Sequence, residues 1–84
     1  MKMKQLFTEC RKYGLVRLCT DNEGYYYSII TFNTIDHVEL QAKSGFDHEV
    51  PEDALLAALK KAIEIVESIQ SNDIDTSQTR KLLE

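Results

Sequence analysis

From Pro51 to about residue 70, apolar residues return every three or four positions. Leu55, Leu59, Ala62, Val66 and Ile69 form one line, and Ala58, Ile63 and Ile65 widen it. Lys60, Lys61, Glu64, Glu67 and Ser68 keep the opposite side polar. This is the spacing of a long amphipathic helix. Pro51 suits its first turn, where a missing N–H is not needed, and Glu52 and Asp53 set negative charge at the positive end of the helix dipole. So broad a stripe must be covered, so the rest of the 84-residue chain has to supply a layer for it to rest on.

Two further periodicities supply that layer. Met3, Leu6, Phe7 and Cys10 fall at i, i+3, i+4 and i+7, which predicts a first helix over about residues 2–12, closed by Gly14 in a left-handed conformation. The period then changes. Leu15 to Thr20 is rich in β-branched and large apolar residues, Asp21-Asn22-Glu23-Gly24 reads as a turn, and Tyr25 to Phe32 is the strongest strand signal in the chain. Asn33-Thr34 turns the chain again. From His37 to Lys43 polar and apolar residues alternate, with His37, Glu39, Gln41 and Lys43 on one side and Val38, Leu40 and Ala42 on the other. Gly45 ends this strand. The order α-β-β-β-α predicts an α+β two-layer sandwich, a three-stranded antiparallel meander with two helices on one face and solvent on the other. Phe7, Leu40, Leu59 and Val66 are expected to meet in the core, and part of the long helix to pack on the first helix or on another chain.

Residues 1–70 are read as one α+β domain, and 71–84 as a polar tail without fixed structure. Apolar content of 43% against 29% charged residues is that of a globular domain. No apolar run is long enough to span a membrane, and Met1-Lys2-Met3-Lys4 lacks the apolar stretch of a secretory signal. Cys10 and Cys19 are too few for a disulfide framework and are read as free thiols, so the expected location is the cytoplasm.

The net charge is −4 and it is unevenly spread. Residues 1–20 carry Lys2, Lys4, Arg11, Lys12 and Arg17 against Glu9 alone, whereas residues 21–59 carry Lys43 against eight acidic residues. An acidic chain disfavours nucleic acid, because phosphate neutralisation needs a basic surface. The first helix leaves one small basic face, Lys4, Arg11 and Lys12, which is read mainly as a solvated helix side.

Catalytic signatures are missing. No nucleotide-cradling glycine motif and no nucleophile elbow occurs, and no cofactor or enzymatic activity is expected. His37 and Glu39 share the exposed side of the third strand, and His48 with Glu49 could complete a metal site if the loop folded back. Their spacing matches no metal signature, so they are read as surface residues. The tyrosines carry more information. Either Tyr26, or Tyr25 and Tyr27, must point away from the helices, beside Arg17. With Glu39, Gln41 and Lys43 they form the expected partner-binding surface. An aromatic anchor inside a rim of mixed charge suits a protein better than a phosphate backbone.

The helix and strand order resembles that of the double-stranded-RNA-binding domain. In that family a lysine-rich cluster opens the last helix and grips phosphate. The matching stretch here, Gly45 to Asp53, carries Asp47, Glu49, Glu52 and Asp53 and no Lys or Arg, so the resemblance implies the topology and not the RNA binding. Asp21-Asn22-Glu23-Gly24-Tyr25-Tyr26-Tyr27-Ser28, with Glu52-Asp53-Ala54-Leu55-Leu56-Ala57-Ala58-Leu59, is similar to the antitoxin half of the HicA/HicB toxin–antitoxin pairs, which carry a Gly-Tyr-Tyr strand and a Glu-Glu-Ala-Leu helix start. Asn33-Thr34-Ile35-Asp36 stands where that family has a Pro- and Gly-containing turn. More broadly the chain is similar to short phage and prophage proteins of this strand-strand-strand-helix type. Two function classes follow. One is a small protein-interaction module of accessory or inhibitor type, binding a protein or a second copy of itself. The other is a nucleic-acid accessory protein using the basic face of the first helix.

Overall fold

In the computed structural model the chain runs α1 (Met3–Arg11), β1 (Leu15–Thr20), β2 (Tyr26–Asn33), β3 (Glu39–Lys43), α2 (Pro51–Ile69) and α3 (Ser77–Leu83). The structure describes residues 2–33, 37–69 and 76–83. The strands form one antiparallel sheet in the order β1-β2-β3. The α-β-β-β-α order and the meander are those the periodicities predict.

The core lies between sheet and helices. Leu6 and Cys10 of α1, Ile30 and Phe32 of β2, Ala42 of β3, and Leu55, Ala58, Leu59, Ala62, Ile63 and Val66 of α2 are buried together. Burying each of the larger aliphatic side chains stabilises the fold by about 1.5–3 kcal/mol. Phe7 and Leu40, expected inside, are half-buried and pack against this cluster from its rim. The wide stripe of α2 is taken up by the sheet and by α1.

Three local expectations are corrected. Gly14 is not left-handed; the positive-φ glycines are Gly24 and Gly45. Gly14 is required for proximity, because a Cβ there would lie 2.1 Å from the Thr31 carbonyl oxygen and 2.8 Å from the Phe32 Cβ. The third strand starts at Glu39 rather than at residue 37. His37 takes a φ of 62°, and Val38, expected on the core side, is 54% exposed. The turn expected at Asn33-Thr34 runs into residues 34–36, outside the described residues.

The third correction is α3. The expected tail without structure carries a helix at Ser77–Leu83, while residues 71–75 lie outside the described residues. Polar contacts hold it. Thr79 is 1% exposed; its hydroxyl accepts a hydrogen bond from Tyr13 Oη at 3.0 Å and donates one to Glu9 Oε1 at 3.2 Å. Lys12 Nζ lies 2.8 Å from the other Glu9 oxygen. Arg80 grips Glu67 of α2 with both Nε and Nη2 at 2.6 Å, and Leu83 packs against the core.

Candidate interaction surface on the open sheet face

The face of the sheet away from the helices is uncovered, and strand register fixes what it displays. Residues opposite one another in antiparallel strands point to the same side. Ser28, Ile30, Phe32 and Ala42 face the helices and are buried. The other set projects outwards in rows. Arg17, Ile29 and Lys43 form a row across all three strands, and Leu15, Thr31 and Gln41 form the next. Asn33 and Glu39 stand beyond them, while Cys19 and Tyr27 stand on the opposite side of the Arg17 row.

The loop after β3 completes this surface. Tyr26 N–H donates to the His48 carbonyl at 2.7 Å, His48 Nε2 is 2.9 Å from the Ser44 carbonyl, and Ser28 N–H donates to Ser44 Oγ at 2.8 Å. So pinned, the loop lays Phe46 against Tyr27, with ring centroids 4.8 Å apart and planes at 52°. At the other side of Tyr27 stands its cross-strand neighbour Cys19, whose thiol is the chief cause of an upward shift in the Tyr27 pKa. The neighbouring turn is held by Asp21, whose Oδ1 accepts from the N–H groups of Glu23 and Tyr25, both at 2.9 Å. Tyr25 and Phe46, with Asp21, Asn22, Glu23 and Asp47, line a shallow acidic depression at this end of the sheet.

Of the expected partner-binding residues, Arg17, Tyr27, Glu39, Gln41 and Lys43 share the open face. Tyr26 does not. It has the parity of Ser28 and Ile30, lies on the helix side, and is half-buried there. Tyr25 precedes β2 and lines the acidic depression. Leu15, 68% exposed, together with Ile29, Cys19 and Phe46, belongs to the surface without having been singled out. In β1 Leu15 has the parity of Arg17, so the charge that marks the solvent side carries Leu15 with it, although a large apolar residue alone gives no sign of exposure. Phe46 is a lone aromatic in a polar loop, and only the His48 and Ser44 contacts bring it to the sheet.

The basic residues of α1 belong elsewhere. Lys12 is engaged by Glu9, and the Arg11 guanidinium lies 6.0 Å from the centre of the Phe7 ring. Arg17 projects from the uncovered side of the sheet while α1 packs on the covered side, so Lys4, Arg11, Lys12 and Arg17 do not converge on one surface. The histidines also stay apart: His37 lies before β3 and His48 after it, and among the described residues no three His, Cys, Asp or Glu side chains gather as metal ligands would. Among the described residues no helix is long and apolar enough to cross a membrane.

Compared with protein-family models, with curated proteins and with solved structures, the chain finds no match.

Proposed function

We propose that the protein is a small interaction module whose open sheet face binds a protein partner. The observation that carries the reading is the row in which Arg17 and Lys43 flank Ile29, with exposed Leu15 beside it. An apolar centre between two cations fits a protein surface that offers an apolar side chain flanked by carboxylates. The aromatic pair Tyr27–Phe46 extends the apolar centre towards the acidic end. A duplex would meet Asp21, Glu23 and Asp47 at that end, and the cations of α1 lie across the sheet from Arg17, so the division of charge supports protein over nucleic acid.

The test is a pair of titrations followed through backbone amide signals. Short RNA and DNA duplexes at low salt should leave Arg17, Tyr27 and Lys43 unmoved. A captured protein partner should move them, and Arg17→Glu or Ile29→Glu should abolish its binding while leaving the fold intact. Saturable shifts of those signals with nucleic acid would overturn the reading.

A further inference from the structure

The sheet has two outer strands, and their edges differ. Ser44 N–H donates across to the Ser28 carbonyl of β2 at 3.0 Å. Backbone groups alternate sides along a strand, so Ala42 and Leu40, with the parity of Ser44, turn theirs to β2. Glu39, Gln41 and Lys43 therefore turn their N–H and C=O groups away from the sheet. Their side chains are exposed, with an acid at one end of β3, a base at the other and a neutral amide midway. Among the described residues the ion pairs join Lys12 to Glu9, Lys61 to Glu64 and Arg80 to Glu67, and Asp47 lies 3.8 Å from His48, so Glu39 and Lys43 keep their charges for a partner.

A strand with this pattern is complementary to itself read backwards. When two copies lie antiparallel about a two-fold axis through Gln41, Glu39 stands opposite Lys43 of the second copy, Gln41 opposite Gln41, and Lys43 opposite Glu39. Each outward N–H meets an outward C=O, and both charged pairs join unlike signs, the arrangement that stabilises cross-strand neighbours. β1 has no such symmetry. Asp21 N–H bonds the Tyr25 carbonyl, which turns Arg17 inwards and Val16, Leu18 and Thr20 outwards. An axis at Arg17 opposes two like charges, and one at Leu18 sets Arg17 against Cys19.

We propose that the protein forms a symmetric dimer through β3, paired antiparallel and centred on Gln41, to give one continuous six-stranded sheet. An unpaired edge is an open template for another strand, and isologous pairing closes it. The proposal goes beyond the binding of a partner by the open face and does not depend on it. It would join two such faces into one platform.

Sedimentation of the full chain should show a monomer–dimer equilibrium, with the Glu39, Gln41 and Lys43 amides protected from hydrogen exchange in the dimer. Lys43→Glu and Glu39→Lys should each weaken the dimer about tenfold or more, since each opposes like charges twice. An equimolar mixture of the two variants should recover near-original affinity as a heterodimer, because every opposed pair then joins unlike charges. Gln41→Pro removes only an outward N–H, so the monomer should keep its circular dichroism spectrum and lose dimerisation. Leu15→Ser, on the open face, should leave the dimer unchanged and so separates this proposal from the face reading. A chain monomeric at millimolar concentration, or a dimer indifferent to Lys43→Glu and unprotected at Gln41, overturns it.

Discussion

Gly14 shows how one residue can be fixed by a neighbour far along the chain. Its backbone approaches Thr31 and Phe32 so closely that a methyl group has no room, and the obstructing Thr31 atom is a carbonyl oxygen inside the sheet ladder. Neither α1 nor β1 can yield without breaking its own hydrogen bonds. Gly14→Ala should therefore cost about 1–3 kcal/mol by overpacking, and each kcal/mol lowers the melting temperature by about 4–8 °C in a domain of this size. Thermal unfolding followed by circular dichroism reads the effect, and an unchanged midpoint would mean that the α1–β1 turn can relax away from β2. The sequence predicts a left-handed glycine closing α1 here, whereas the glycine is required by a close approach. A left-handed cap is a local property, whereas this contact joins positions 14 and 31.

At the scale of elements, legibility follows contrast. β3 can be read because Glu39, Gln41 and Lys43 alternate with Leu40 and Ala42. α2 can be read because its apolar stripe faces a polar side at helical spacing. β2 is visible as a strand, but Tyr25, Tyr26 and Tyr27 are chemically alike, so only the register shows that Tyr27 faces outwards. α3 has almost no apolar signal, and what docks it is a buried hydroxyl and an Arg–Glu pair that pattern reading assigns to solvent. That docking carries a pH signature. Arg80, and then the Thr76 hydroxyl, hold the Glu67 carboxyl down to about 2 from an ordinary value of 4.5. A depressed carboxylate stabilises the docked state above its ordinary pKa, and that contribution is lost as pH falls through about 4.5 towards about 2. The protection of the Ser77–Leu83 amides, taken relative to the intrinsic exchange rate at each pH, should fall across this window while the core amides of α2 stay protected. Glu67→Gln should show lower α3 protection already at neutral pH and no further loss of protection across the window. Exchange in α3 that ignores both the acid and the substitution would mean that Thr79 and Leu83 hold the helix without the ion pair.

At the scale of the whole molecule, an 84-residue chain has one core, and Cys10 lies inside it. This thiol is fully buried between α1 and α2, where Sγ reaches the Leu55 carbonyl at 3.8 Å. Burial first, and the neighbouring Glu9 charge second, push its pKa up to about 12. At neutral pH the reactive thiolate is then roughly one part in 100,000, and no reagent reaches it in the folded chain. Exposing Cys10 requires separating α1 from α2, which opens the single cluster that Leu6 and Cys10 share with α2 and the sheet. A small single-core domain opens such a site only by unfolding as a unit. Cys19, half-buried on the open sheet face, needs no such opening. Thiol labelling should therefore split into two phases, a fast one at Cys19 and a slow one at Cys10. The slow rate should rise with denaturant along the slope measured for equilibrium unfolding of the whole chain. In Cys19→Ser only the slow phase should remain. Labelling of Cys10 with a shallow denaturant dependence would instead show that α1 lifts off locally, and that the sheet and α2 hold together without it.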